Sequence, residues 1–272
     1  MVIERHLDWA GCLNVRDLGG LPTGDGRTTP WRAVVRADNL DRLTPDGWAA
    51  LHDYGIRTVI DLREDDERST STARPAGIDV LHVPLDDPAD TDFWYRCIDD
   101  ETDGTPLYYR PFLDRKPERC VAAVAAVARA GPGGVVVHCG IGRDRTGLLS
   151  LLLLALAGVT PDAIVADYTL SAERLKPYFA EAHAVHGDVV TARLVRRGTT
   201  VEEALHSVLA GLDVEAYLRA SGLAAEDLHS LRARLAATGP AGTPVVPVGA
   251  VPGSPPIPHP RTPAVATDGY DE

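Results

Sequence analysis

The chain has 272 residues, 44% of them hydrophobic, enough for one large packed domain or two small ones. Acidic residues outnumber basic ones 39 to 27, and the resulting net charge of −12 argues against a general nucleic-acid or anionic-membrane surface while allowing a local positive pocket. Cys12, Cys97, Cys120 and Cys139 form neither a Cys-x-x-Cys pair nor a zinc-like spacing with histidine, so a reduced cytoplasmic protein needing no metal is expected.

The N-terminus, Met1-Val2-Ile3-Glu4-Arg5-His6, lacks the basic-then-apolar pattern of a targeting signal. A glycine-rich entry over residues 13–21 leads to a short strand at 32–36. Thr44-Pro45-Asp46 starts a helix that carries Trp48, Leu51 and Tyr54 and stops at Gly55. Residues 56–63 form a buried strand, the acidic run 64–71 a solvated helix or loop, and 78–84 a third strand. Residues 86–103, with Phe93, Trp94 and Tyr95, read as a loop or small helix near a pocket mouth. A helical face at Cys120, Val121, Val124, Val127 and Ala128 ends at the glycines near 131–134.

Thr160-Pro161-Asp162 repeats the cap chemistry of the first helix, and residues 173–231 are mostly helical by composition. Proline and glycine dominate from Thr238 onward, so one domain over 1–237 and a disordered tail over 238–272 are expected. The strand–helix alternation indicates an α/β fold with a mainly parallel sheet flanked by helices.

The most informative stretch, residues 135–147, reads Val-Val-Val-His-Cys-Gly-Ile-Gly-Arg-Asp-Arg-Thr-Gly. It is a buried strand, a tight loop and the first turn of an apolar helix. Cys139 opens the loop, Arg145 closes it, and Gly140 and Gly142 let the backbone fold back with its N–H groups inward. N–H groups gathered at a helix start form an anion site, and such a site acidifies a thiol at its base. Thiolate, phosphate-sized cradle and fixed guanidinium are the equipment for taking a phosphoryl group onto sulfur. A rhodanese-like sulfur transferase also holds a cysteine between strand and helix, but it does not need the arginine followed by Thr146-Gly147. The apolar run 147–159 is too short to span a bilayer. No nucleotide-binding glycine motif is present.

The Cys-(X)5-Arg spacing, with His138 before it and Thr146-Gly147 after it, closely resembles the signature of the protein tyrosine phosphatase superfamily. Asn14-Val15-Arg16-Asp17, Arg36-Ala37-Asp38-Asn39-Leu40, Gly55-Ile56 through Leu62-Arg63 with Glu67, Ala166-Asp167-Tyr168 and Tyr217-Leu218-Arg219 resemble its PtpB-like branch of tyrosine and lipid phosphatases. The likeness spans residues 14–235 and implies a dual-specificity-like phosphatase fold. Arg143 stands where that branch usually has lysine, so a planar fork replaces a point charge.

The resemblance and the thiol chemistry together imply Cys139 as nucleophile, with Gly140, Ile141, Gly142, Arg143, Asp144 and Arg145 cradling the phosphate. Thr146 is expected to donate to the departing thiolate, and His138 to orient the loop. No Trp-Pro-Asp segment supplies the general acid that leaving-group departure requires. The order of preference is Asp87, which the resemblance aligns best, then Asp144, then Asp86. An aspartate beside two arginines, as Asp144 is, favours ionisation and an orienting role. Arg16, Asp17, Asp61 and Arg63 read as buried arginine–aspartate pairs, and Cys12 or Cys97 as redox partner of Cys139 has no support in the sequence. The expected substrate is a phosphotyrosine protein, with phosphoserine or phosphothreonine as possible extensions. The alternative is a phosphoinositide or inositol phosphate, with Arg143 reading an extra phosphate. An inactive phosphate-binding module is disfavoured by the intact Cys139, Arg145 and Thr146.

Overall fold

Apolar strand segments separated by capped helices give the chain the crossovers that parallel strands require. The computed structural model describes residues 5–69, 75–181, 186–236 and 238–240. In chain order the elements are β1 (Arg16–Asp17), β2 (Arg27–Thr28), β3 (Val34–Ala37), α1 (Pro45–Tyr54), β4 (Ile56–Asp61), β5 (Asp79–His82), α2 (Thr91–Asp99), α3 (Tyr109–Arg115), α4 (Pro117–Arg129), β6 (Gly134–His138) and α5 (Asp144–Leu156). They continue with α6 (Pro161–Arg174), α7 (Lys176–Glu181), α8 (His186–Arg196), α9 (Val201–Ala210), α10 (Val214–Ala220), α11 (Ala225–Arg234) and β7 (Thr238–Pro240).

The main sheet runs β1-β3-β6-β4-β5. β3, β6, β4 and β5 are parallel, and β1 alone is antiparallel, on the edge beside β3. Central β6 is fully buried. Its last residue, His138, pairs with Ala37 on one side and Asp61 on the other. The segments leaving β3, β4, β5 and β6 therefore emerge at one carboxyl edge, where open α/β sheets bind ligands.

The period-two alternation of β6 sends Val136 to one face and Val135 and Val137 to the other. The Val136 side is covered by α1 through Trp48 and Leu51. The opposite core contains Leu148, Leu149 and Leu151–154 of α5, all buried. At roughly 1.5–3 kcal/mol for each fully buried side chain of this size, the α5 leucines are a major source of stability beneath the loop.

The caps of α1 are those its sequence predicts. Thr44 Oγ1 accepts from Gly47 N–H at 3.1 Å, and Gly55 ends the helix in the left-handed region at φ 102°. At α6 the expected hydroxyl cap is absent: Thr160 uses its backbone, its carbonyl accepting from Ala163 and its N–H donating to Pro22. The 86–103 segment resolves into α2, capped by the Asp90 side chain, with Phe93 packed edge-on against Trp94 and Phe112.

The described residues lie in one unit, Met1–Gly242. Thr238–Pro240 pairs antiparallel with β2, so ordered pairing continues three residues past the expected boundary at 237. The rest of the expected tail, 241–272, lies outside the described residues. No described helix is long and apolar enough to cross a membrane.

Candidate active site

Cys139 follows β6 directly and is 2% exposed, at the base of the loop that leads into α5. The loop is held by its carbonyl groups. Asn39 N–H donates to Gly140 O at 3.1 Å, Asn14 Nδ2 to Ile141 O at 3.0 Å and to Gly142 O at 3.1 Å, and Arg36 Nη2 to Gly142 O at 2.8 Å. In a planar trans peptide the following N–H points opposite to the carbonyl. Three outward-tied carbonyls thus turn the N–H groups of Ile141, Gly142 and Arg143 to the inner side. None of these N–H groups donates to another described residue. The α5 N-terminus has no side-chain cap, which leaves its first-turn donors available as well. Together these groups form an anion cradle above the cysteine.

Gly142 is required by position. Its φ is +68°, and a Cβ there would lie 2.5 Å from Ala37 O and 2.7 Å from Asp38 N. The donors on the loop's outer side are themselves anchored. Arg16 and Arg36 converge on Asp167 of α6, at 3.0 Å from Arg16 Nε and 2.8 Å from Arg36 Nη1, and Arg5 adds a third contact at 2.7 Å. Burial opposes ionisation of Asp167, but the charges of Arg16, Arg36 and Arg5 hold its carboxyl well below the usual range. Arg16 also donates to Asn14 Oδ1 at 2.6 Å, which fixes the amide that holds the loop.

The expected pair Asp61–Arg63 is present, with Nε to Oδ1 at 2.9 Å and Nη2 to Oδ2 at 2.8 Å. Arg16 and Asp17 are not a pair. Asp17 accepts from Gly19 N–H, Arg32 N–H and the Tyr54 hydroxyl, and Arg16 reaches across to Asp167. His138 donates from Nδ1 to Cys139 O at 3.3 Å and faces Asp61 at 3.6 Å. Burial pushes its imidazole down to about 4 despite Asp61, so at neutral pH it adds position and no charge. Thr146 is fully buried, and its Oγ1 has no hydrogen-bond partner among the described residues.

Arg145 folds back over the loop, where a Cβ on Gly140 would lie 3.7 Å from its Nη2. Glu67 grips both terminal nitrogens, with Nη2 to Oε1 at 2.7 Å and Nη1 on Oε2. Asp86 Oδ2 stands 3.2 Å from its Nε. Burial works against the guanidinium charge, but the Glu67 bond and the Cys139, Asp86 and Glu67 charges hold it firmly charged.

The three candidate acids separate clearly. Asp87, first choice from the sequence, is held by Lys116 Nζ at 2.7 Å and Arg119 Nη2 at 3.1 Å, on the α3–α4 side. Its backbone lies in the left-handed region at φ 55°, and its carbonyl accepts from Trp94 Nε1. Asp144 pairs with Arg143, Nε to Oδ1 at 3.0 Å, which matches the orienting alternative. Asp86, ranked last, is the carboxyl that meets Arg145. Burial, opposed by Arg145 and reinforced by Glu67, Glu64 and Asp144, pushes it up to about 7. Sequence alone gives Glu67 and Asn14 no role and reads the run 64–71 as solvated; the quoted motifs contain Asn14 and Glu67, and nothing marks Glu64.

Beside Arg143 lies a cavity of about 580 Å³, walled by Tyr168, Leu170, Phe179, Leu194 and Val195. The described residues contain no cluster of histidine, cysteine and acidic side chains fit to hold a metal, and all four cysteines are free thiols.

Comparison with known proteins gives the family. A tyrosine-protein phosphatase of Nostoc commune is 30% identical over 228 residues, covering 77% of this chain and 76% of that protein. The triple specificity protein phosphatase PtpB of Mycobacterium tuberculosis is 32% identical over 190 residues, covering 59% of this chain and 67% of that protein. The crystal structure of P. aeruginosa TpbA aligns with 78% of this chain and 96% of its own at 16% identity and a TM-score of 0.34. A profile of the tyrosine phosphatase family matches residues 7–237, and the chain belongs to that family.

Proposed function

We propose that this protein hydrolyses phosphotyrosine in proteins, with Cys139 as nucleophile and Asp86 as general acid. The tied-back carbonyls of Gly140, Ile141 and Gly142 carry the reading, because they leave the inner N–H groups for a tetrahedral oxyanion. The Cys139 thiolate attacks phosphorus, the P–O bond to the tyrosine oxygen breaks, and that oxygen takes the Asp86 proton. In the second step the Asp86 carboxylate takes a proton from water as its oxygen attacks phosphorus. The P–S bond breaks and Thr146, whose hydroxyl is otherwise unpartnered, donates to the thiolate. The N–H groups of residues 140–145 and the Arg145 fork hold the equatorial oxygens in both steps.

A phosphoinositide substrate is the second reading, favoured by the apolar cavity against Arg143. The free thiols suit a reducing cytoplasm. The test is turnover of a phosphotyrosine peptide and a soluble phosphoinositide by wild type and Cys139→Ser. Wild type should prefer the peptide, and the variant should bind it without turnover. Wild-type turnover by Cys139→Ser removes the mechanism, and preference for the lipid installs the second reading.

A further inference from the structure

The acidic turn after β4 touches both halves of the site. Glu67 grips Arg145 through both carboxylate oxygens and also accepts from Glu64 N–H at 2.9 Å. Glu64 reaches the other way. Its Oε1 accepts from the backbone N–H groups of Asp86 at 3.0 Å and Asp87 at 3.3 Å. One short turn therefore fixes the phosphate-binding guanidinium with its last residue and the backbone of the acid with its first. No other side chain accepts from the backbone N–H of Asp86 among the described residues. The flanking residues have supports of their own: Leu85 N–H donates to Leu62 O at 3.2 Å, Arg119 Nη1 to Pro84 O at 2.9 Å, and Asp87 is held by Lys116, Arg119 and Trp94, so Glu64 is the side chain that acts on the Asp86 backbone itself.

We infer that Glu64 is a positioning residue for proton transfer: its carboxylate seats Asp86 against Arg145 Nε, where the leaving oxygen of a bound phosphate ester is within reach. This rests on the reading of Asp86 as the acid. Two accepted N–H bonds to one charged oxygen are stronger than neutral ones, which suits holding a loop without covering the pocket. The groups facing Asp86 are Arg145 and Asp144 from α5, Glu64 and Glu67 from the turn, and Tyr108 ahead of α3. Within that set Glu64 acts twice, as a fixed acceptor and as a negative charge that favours the protonated acid.

The two actions separate by substitution. Glu64→Gln keeps an oxygen acceptor and loses the charge, whereas Glu64→Ala loses both. The readout is kcat/KM, which reports events only up to breaking of the P–O bond and so excludes the second step, on aryl phosphates of graded leaving-group basicity, from p-nitrophenyl to phenyl phosphate, with Asp86→Asn measured alongside. Poor leaving groups need the proton and good ones do not. Glu64→Ala should lower kcat/KM on phenyl phosphate by about tenfold or more and leave that on p-nitrophenyl phosphate within about twofold, as part of the 10²–10⁴ that a placed acid supplies. Glu64→Gln should restore most of the phenyl phosphate rate and move the basic limb of its pH profile to lower pH.

A Glu64→Ala loss that is equal on all leaving groups, or no loss, overturns the positioning role. A flat leaving-group response in Asp86→Asn overturns the acid assignment itself, and the inference with it. Thermal melting of each variant separates positioning from unfolding: Glu64 is half-buried and Glu64→Ala gives up two charge-assisted bonds, so a melting point a few degrees lower is expected, with a single cooperative transition well above the assay temperature.

Discussion

A carboxyl whose burial raises its pKa costs stability when it ionises, a cost that its amide should release. The Asp86 carboxyl is pushed from 3.8 to about 7 by burial and by the neighbouring Glu67, Glu64 and Asp144. A raised acid pKa means that the folded state holds the proton more tightly than the unfolded chain. Stability is unaffected below about 3.8, falls as pH rises through the interval, and is lowest above about 7. Each pKa unit is worth about 1.4 kcal/mol, so the ceiling is roughly 4 kcal/mol above the folded value. The Asp86 side chain is 26% exposed, and screening at that exposure brings the expected cost to about 2 kcal/mol. Asp86→Asn is nearly isosteric and cannot ionise. It should therefore be more stable than wild type by about 2 kcal/mol at pH 8 and equal to it near pH 4, while losing about 10²-fold or more in kcat on phenyl phosphate. Urea unfolding at pH 4, 6 and 8 measures the first effect and steady-state kinetics the second. In wild type, kcat/KM for phenyl phosphate should fall as pH rises through about 7, and Asp86→Asn should lack that limb. A stability gap that does not change with pH refutes the raised acid, whatever the kinetics show.

Glu67→Gln should weaken the grip on Arg145 and lower kcat/KM for a phosphotyrosine peptide by about ten- to hundredfold, with unfolding by urea little changed. Asp167→Asn leaves Arg16 and Arg36 buried without their counter-charge, and urea denaturation should show a loss of about 3–5 kcal/mol. Gly142→Ala forces a left-handed alanine, at about 1–2 kcal/mol, and drives its Cβ against the Ala37 carbonyl. Isothermal titration with inorganic phosphate should show lost affinity while the fold melts cooperatively.

The local features were legible because local rules govern them. The α1 caps, the β6 strand and the Cys139–Arg145 spacing each lie within about a dozen residues and read directly as backbone geometry. The contacts that complete the site are long-range. Nothing in the acidic run after Arg63 says that Glu67 will meet an arginine 78 positions later. Asp86 and Asp87 are chemically identical neighbours, and their side chains part for a conformational reason. With Asp87 in the left-handed region, its carboxyl goes to Lys116 and Arg119, partners that lie on the α3–α4 side. Buried Arg–Asp pairing holds for Arg16, but with a distant partner: residues adjacent in a strand face opposite ways, so Asp17 turns away and Asp167, 151 positions on, takes the guanidinium.

The same geometry explains why a protein with an excess of acid can still take up a dianion. Four carboxylates, of Glu64, Glu67, Asp86 and Asp144, surround a cradle whose charged donors are Arg143 and Arg145. Glu67 and Asp144 are each matched to one of those arginines, and Glu64 spends its oxygen on backbone N–H groups. Asp86 alone occupies an edge of Arg145, the Nε side, that an incoming phosphate would also use. An ionised Asp86 competes with the phosphate for that N–H, whereas a protonated one adds a donor toward it. Arrival of the dianion raises the cost of the Asp86 charge further, by like-charge repulsion at short range. On the proposed role of Asp86, ligand binding then draws in the proton that the leaving oxygen takes up.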